Sequence, residues 1–393
     1  MIGTGPFGAP LLQELLVRKP ILVSLLMCLA GAAHAVGPSA VAAPDRSLWP
    51  DPVDSVAGFD RASRAEMLVF AHELAASEKL TDADLIDALK IKQVDHASVE
   101  SIRNTYWKRL ASGYAIASAH CGAQEAFCPA GADEAAFRKA AAAFAGVSDA
   151  RYQAWYQDDV TFHRVYLNEL LRLAALFPRV SSEVSTFSDH ELSGNEPADR
   201  HFLLTFDDGP TRAAGNTDKT LAMLRQADLN ATFFTLGGNL QNRLQQATPA
   251  SLGATYVGMC VGAHGWEHKS HSSMPDWQDS VTRSIALVHD NLPASFVPLF
   301  RPPYGQRKAD SDAFFSDAHL RVTLWNIDSQ DWNNKVNAEQ VRQRVLALML
   351  LWRHGVILFH DIHPKAQVAV PWLLEQTKGS GVTWLDCHAY PPA

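Results

Sequence analysis

The chain has 393 residues, 47% of them hydrophobic and 19% charged, and its 23 glycines and 21 prolines follow no fixed period. That excludes a disordered, low-complexity or collagen-like chain and leaves room for two compact domains. The net charge is −8 and no run of Lys or Arg stands out, which argues against a nucleic-acid partner.

At the N-terminus Arg18 and Lys19 precede a short apolar run from Pro20 to Ala30, followed by Ala33-His34-Ala35. A basic flank, a short apolar core and an A-x-A end are the parts of a secretory signal peptide, so residues 1–35 are expected to be removed. An uncleaved anchor is the alternative. The run is too short to span a bilayer comfortably, so no membrane span is expected in the mature chain. The expected location is periplasmic or extracellular. Export permits disulfides among Cys121, Cys128, Cys260 and Cys387. Cys121 and Cys128 lie close enough, near Gly122 and Pro129, for a local bridge. Cys260 and Cys387 are the leftover pair, and the sequence does not show that they meet.

Residues 36–58 are rich in Pro, Ala and Ser and read as a linker. From 59 to 180 the pattern is helical. Ser63 and Glu66 have capping-box spacing, and Met67, Phe70, Ala71 and Leu74 form a stripe on one helix face. Thr81 with Asp84 resembles a second helix start. Further stripes are Val99, Ile102, Tyr106 and Leu110, then Phe162, Val165, Tyr166, Leu170 and Leu173, ended by Pro178. A small all-helical domain is expected, its aromatic stripes forming core, with no cluster of metal ligands or catalytic groups. Residues 181–199 are polar and mark a boundary.

From 200 to 393 short β-rich runs alternate with helical stretches. The runs are 201–206, 231–235, 255–259, 296–300, 322–325, 356–359 and 382–385; the helical stretches fall near 217–227, 277–291, 338–353 and 366–377. Such alternation implies a parallel sheet, open or closed into a barrel, with the active site at the C-terminal ends of the strands.

The residues after each run are chemically distinctive. Asp207-Asp208-Gly209-Pro210 places two carboxylates side by side, which suits one metal ligand and one free base. His264 and His268 are spaced so that one helical turn would put both imidazoles on one face. With Asp208 they would make a three-ligand site with open positions, a catalytic pattern. In Arg301-Pro302-Pro303-Tyr304-Gly305 two prolines fix the backbone. There Arg301 could orient a carboxylate base, and the Tyr304 N–H could face an oxyanion. Asp328, Asp331 and Trp332 combine acids with an aromatic face suited to sugars. His360 at a strand end suits a general acid. His271 and His363 read as loop histidines rather than ligands, and Trp266 and Trp277 as core or sugar platform.

These pieces, TFDDGP at 205–210, HGWEH at 264–268, RPPYG at 301–305, DSQDW at 328–332 and LFH at 358–360, resemble the polysaccharide deacetylases of the NodB-homology type, carbohydrate esterase family four. The resemblance covers residues 200–393, roughly half the chain. It implies an α/β fold, a distorted (β/α) barrel, here preceded by the small helical domain. It implies hydrolysis of acetyl groups on acetylated glycans with one divalent metal ion, zinc being the expected one. By resemblance Asp208, His264 and His268 hold the metal, Asp207 is the base acting on a metal-activated water, and His360 is the acid. Arg301 would pair with Asp207, Asp331 would tune His360, the Tyr304 N–H would face the oxyanion, and Trp332 and Leu358 would line the acetyl pocket. One departure is Gly265, where the family usually has Ser or Thr; the missing hydroxyl removes a loop hydrogen bond worth about 1 kcal/mol. The leading expectation is a secreted N-acetyl deacetylase of N-acetylglucosamine-type glycans. The alternatives are an O-acetyl esterase on the same fold and a non-catalytic glycan-binding protein, which would not need the intact acid, base and ligand set.

Overall fold

A computed structural model describes residues 40–122, 125–128, 133–146, 148–179 and 183–391. The signal-peptide reading of residues 1–35 lies outside them. The N-terminal part carries helices α1 (Val56–Ser77), α2 (Asp82–Leu89), α3 (His96–Ala117), α4 (Glu134–Ala143) and α5 (Gln153–Leu176). Next come β1 (His201–Asp207), α6 (Asn216–Gln226), β2 (Thr232–Thr235), α7 (Gly237–Leu244), α8 (Pro249–Tyr256), β3 (Cys260–Ala263) and α9 (Trp277–Asn291). The chain ends with β4 (Phe296–Phe300), α10 (Asp312–Asp317), β5 (Arg321–Val322), β6 (Ile327–Asp328), α11 (Ala338–Trp352), β7 (Gly355–His360), α12 (Ala366–Gln376) and β8 (Thr383–Trp384).

The eight strands form one parallel sheet in the order β5-β4-β3-β2-β1-β7-β6, with β8 paired to β1. β5 and β6 end the order without pairing to each other, so the barrel is distorted and open there. Alternation along the strands sorts the side chains. Phe202, Leu204 and Phe206 of β1 join the core beneath the helices, with Ile357 and Phe359 of β7. Leu203, Val356 and Leu358 belong to a separate interior cluster with Phe234, Leu299 and Trp325. Asp207 and His360 continue that interior series to the strand ends, where they are register partners.

The helical region and the barrel meet over α11. All nine residues from Arg344 to Trp352 in this helix are buried, as expected for a helix apolar on every side and covered on both faces. One face lies on the sheet; the other takes α1, α3 and α5, and a continuous core runs through both regions. Polar pins fasten the contact. Trp352 Nε1 donates to Tyr166 Oη at 2.9 Å, Arg344 pairs with Glu169 at 3.0 Å, and Arg353 pairs with Asp60 at 2.9 Å. Residues 40–55, read as a linker, hold Trp49 and Val53 buried.

Several local readings change. Helix α1 starts earlier than the Ser63–Glu66 spacing suggested: Ser55 is the cap, accepting from the Gly58 N–H. Ser63 and Glu66 lie inside the helix because both have buried partners, the Leu350 carbonyl for Ser63 and Arg46 and His163 for Glu66. The Thr81–Asp84 capping box is present. Contrary to expectation, the helical region does hold a titratable cluster: α1 and α5 bring together fully buried Glu66, His163 and Asp159. In the barrel, 249–256 is helical, and the third strand begins only at Cys260. The short strand β6 and helices α7, α8 and α10 carry no periodic pattern long enough to have been read. Cys121–Cys128 and Cys260–Cys387 are both disulfides, the second joining the start of β3 to the C-terminal segment.

Candidate active site

Four strand ends converge. Asp207 closes β1, His264 follows β3, Arg301 follows β4 and His360 closes β7. All four are buried. Arg301 fixes Asp207: its Nη1 donates to Asp207 Oδ1 at 2.9 Å and to Thr205 Oγ1 at 2.8 Å. The rest of the guanidinium is also occupied, Nε by the Thr323 carbonyl at 3.0 Å and Nη2 by the Leu324 carbonyl at 3.1 Å. Its flat face lies 4.2 Å from the Phe234 ring centroid, a favourable cation–π placement. Burial pulls this guanidinium below its ordinary pKa, and Asp207 opposes that pull. Asp207 therefore presents one bonded and one open oxygen to the site.

Asp208 has a left-handed φ of 79°, and its Oδ1 and the Asp207 Oδ2 both approach His264 Nε2, at 3.4 and 3.8 Å. Asn239 Nδ2 holds the Asp208 carbonyl at 2.8 Å. Oδ1 of Asp208 is buried without a hydrogen-bond partner. Nε2 of His264 lies 3.4 Å from it and Nε2 of His268 lies 3.5 Å away. His264 Nδ1 donates to the Arg301 carbonyl at 2.7 Å, so its Nε2 turns a lone pair toward the same oxygen. Burial pulls the His268 imidazole down to about 4, with the neighbouring His264 adding to the effect. Burial opposes ionisation of Asp208, but the charge of the His360 imidazolium helps hold its carboxyl below the usual carboxylate range. An anionic oxygen and two imidazole nitrogens thus converge within 4.8 Å. Lone pairs facing one another in a buried site fit a divalent cation, and the carboxylate–bis-imidazole donor set suits zinc. The His-x-x-x-His spacing achieves this on a loop, not on a helix. Gly265 with φ of 82° makes the turn.

On the other side His360 is gripped twice by Asp331. Nδ1 lies 2.7 Å from Asp331 Oδ1, and the backbone N–H donates to Oδ2 at 3.0 Å. Burial resists the charge, but Asp331 overrides it and pushes His360 up to about 10. Among the other expected residues, Tyr304 has φ of 60° and its ring sits 4.3 Å from the His268 ring. Leu358 is buried beside Phe234 and Trp325 in the barrel interior. Trp332 is half-buried next to Asp331.

The sequence profile of the polysaccharide deacetylase family matches residues 194–323. A peptidoglycan-N-acetylglucosamine deacetylase of Bacillus cereus is 30% identical over 227 residues, covering 56% of this chain and 79% of the relative. This chain belongs to the polysaccharide deacetylase family. Two further relatives match shorter stretches. Chitin deacetylase 1 of Saccharomyces cerevisiae is 29% identical over 47% of this chain and 60% of its own length. A bifunctional xylanase/xylan deacetylase of Cellvibrio japonicus is 33% identical over 40% and 22%.

The deacetylase shows what stands in for the hydroxyl missing at Gly265. A Cβ at this glycine would meet His271 Cε1 at 2.8 Å. His271 fills that space, buried, with Nε2 3.0 Å from Ser280 Oγ. Ser280 Oγ in turn accepts the Trp266 N–H at 2.8 Å. His271 is therefore a loop support, and neither it nor His363 belongs to the ligand group. Trp277 is buried core, while Trp266 is half-buried with the Arg283 guanidinium 3.8 Å over its ring. Thr205, inside the TFDDGP run but assigned no role there, shares Arg301 with Asp207, and Asn239, outside every motif, fixes Asp208. Asp361, also assigned no role, is buried, and burial pushes it up to about 7. Asn239 sits on α7, a helix without a sequence signal.

Proposed function

We propose that the deacetylase is an exported, zinc-dependent hydrolase that removes acetyl from N-acetylglucosamine-type glycans: peptidoglycan, a chitin-like oligomer or an exopolysaccharide. The observation that carries this reading is the pairing of Asp207 and His360 at the ends of neighbouring strands, each locked to an opposite charge. Arg301 sets a cation against Asp207, the partner an anionic base needs, and Asp331 keeps His360 protonated, as an acid must be. A cation held by Asp208, His264 and His268 would supply Lewis acidity toward the acetyl carbonyl and lower the pKa of water. Asp207, through its open oxygen, takes the proton of the attacking water. The Tyr304 backbone N–H, set by its left-handed φ, supports the developing oxyanion. His360 Nε2 delivers its proton to the departing amine nitrogen, and Asp331 stabilises the imidazolium before that transfer. Leu358 and Trp332 enclose the acetyl methyl. Two disulfides support an oxidising compartment, and among the described residues no helix is long and apolar enough to cross a membrane. The xylan deacetylase relative supports a second reading, O-acetyl ester hydrolysis by the same residues.

The test is acetate release from N-acetylglucosamine oligomers by the chelated chain with and without added zinc, beside Asp207→Asn. Zinc-dependent release lost in the variant is expected. Release from acetylated xylan alone would replace the first reading by the second. Failure on both substrates with zinc bound would refute the deacetylase proposal.

A further inference from the structure

A groove of about 590 Å³ opens beside the catalytic centre. One wall is the loop after Asp208, including Thr211 and Arg212. The others are the start of α6 with Lys219, the α7 residues Asn239 and Asn242, and Arg243. It is tied to the reacting groups on two sides. Asn239 Nδ2 donates to the Asp208 carbonyl at 2.8 Å, and Asn216 Nδ2 donates to the carbonyl of Ile362, just beyond His360, at 2.8 Å. The groove lining thus touches the backbone at Asp208 and two residues beyond His360.

The charge of this groove runs against that of the chain. The net charge is −8, yet no Asp or Glu lines the groove. The nearby acid, Asp218, is taken by Arg243 Nη2 at 2.9 Å. Arg243 is buried, its Nη1 donates to the Thr211 carbonyl at 2.8 Å, and its Nε has no partner. Arg212 and Lys219 are exposed at the mouth. Arg243 is neutralised by Asp218, whereas Arg212 and Lys219 have no acid opposite them among the described residues; such cations in a concave site concentrate field on whatever enters, and amides such as Asn242 suit sugar hydroxyls.

We propose that this groove is a subsite for a carboxylated sugar residue next to the acetylated residue being hydrolysed. Arg212 and Lys219 would receive the carboxylate, and Asn242 would bond the ring hydroxyls. This rests on the deacetylase reading above and narrows its substrate to glycans that carry acidic residues, which the overall composition does not suggest.

The test compares an N-acetylglucosamine tetramer with the same tetramer oxidised to carboxylates at C6. Binding to the zinc-loaded Asp207→Asn chain is measured by calorimetry, and kcat/KM by acetate release from the chain with Asp207 intact. The groove variants are Lys219→Glu, Arg212→Glu and the milder Lys219→Ala. Lys139→Glu on α4 makes the same charge change elsewhere, and thermal melts confirm folding. Expected is at least about fivefold tighter binding of the carboxylated tetramer, a preference that weakens with salt. Lys219→Glu and Arg212→Glu should abolish the preference, Lys219→Ala should reduce it, and Lys139→Glu should leave it in place. An acidic-to-neutral ratio near one, or a ratio moved equally by Lys139→Glu, overturns the proposal. Calorimetry needs no turnover, so absence of acetate release from both tetramers would count against the deacetylase reading while the binding ratio still judges the groove.

Discussion

Asp331→Asn probes the His360 arrangement with a nearly isosteric change. Burial alone lowers an imidazole pKa from about 6.5, and Asp331 is the largest influence carrying His360 up to about 10. A displacement of that size is on the order of 5 kcal/mol of preference for the imidazolium. A cation on Asp208 works against it, so the basic limb of the wild-type activity profile should fall below 10. In the variant the carboxamide oxygen can still accept one of the two bonds Asp331 makes, to Nδ1 or to the backbone N–H, but the charge is gone. His360 then loses its proton at or below the ordinary histidine pKa. At about pH 8 the acid form becomes a small minority, and kcat/KM should drop about 100- to 1,000-fold, within the roughly 10²–10⁴-fold that general-acid catalysis supplies. The assay is acetate release against pH on the zinc-loaded chain, with metal content and melting temperature measured alongside. The basic limb should move down by at least about one unit. A loss below about threefold with the limb in place would show that Asp331 does not control the proton on His360.

Other expectations follow from the same geometry. His268→Ala should release zinc during gel filtration in metal-free buffer, whereas His271→Ala should retain it while lowering the melting temperature. Equal metal loss in both would contradict the ligand assignment. Cys387→Ser opens a loop with a sequence separation of 127, worth about 5 kcal/mol by loop entropy. Its melting temperature should fall, and reductant should then have less effect on it than on wild type. The Glu66–His163–Asp159 cluster should make the fold alkali-sensitive. Burial opposes charge on His163, but Asp159 and Glu66 push it up to about 9. Burial, with Glu66, pushes Asp159 up to about 7. Both raised values mean that the folded state holds these protons more tightly than the unfolded chain does. The His163 contribution is therefore complete below about 6.5 and lost as pH rises through about 9. Denaturant midpoints should drop over that window, and His163→Gln should flatten the dependence.

The candidate groups were legible because deacetylase chemistry would demand particular side chains at strand ends, and strands announce themselves by short apolar runs. Asp207, Asp208, Arg301 and His360 each follow or close such a run, while His264 follows a strand that the sequence reading placed too early, and parallel pairing aligns those ends without further information. The helical half was legible only as stripes. Its cluster of Glu66, His163 and Asp159 joins residues 97 apart in the chain, a juxtaposition that no local spacing encodes. The apolar run of α11, from Val345 to Trp352, did hold a signal that two layers would cover it. The misplaced strand near 255–259 has a simple cause. Pro249 starts a short helix capped by Thr248, so Thr255 and Tyr256 complete a helix despite their β propensity.

Gly265 shows how a departure from a family pattern should be read. Taken alone, the missing hydroxyl looks like a loss of about 1 kcal/mol at a metal loop. In three dimensions the residue adopts a φ that disfavours any side chain, and the space a Cβ would occupy belongs to His271. The loop is then held through His271, Ser280 and the Trp266 N–H. Restoring the family residue by Gly265→Ser should therefore destabilise the loop by about 1–2 kcal/mol. Gly265→Ser with His271→Ala should recover part of that loss, because the clash is relieved although the strained φ remains. The double-mutant cycle, read by melting temperature and by zinc affinity, decides the point. Strict additivity would mean that the two positions do not substitute for one another. A favourable coupling would show that the space beside Gly265 is held by His271, so that either a side chain at 265 or the histidine, but not both, fits this loop.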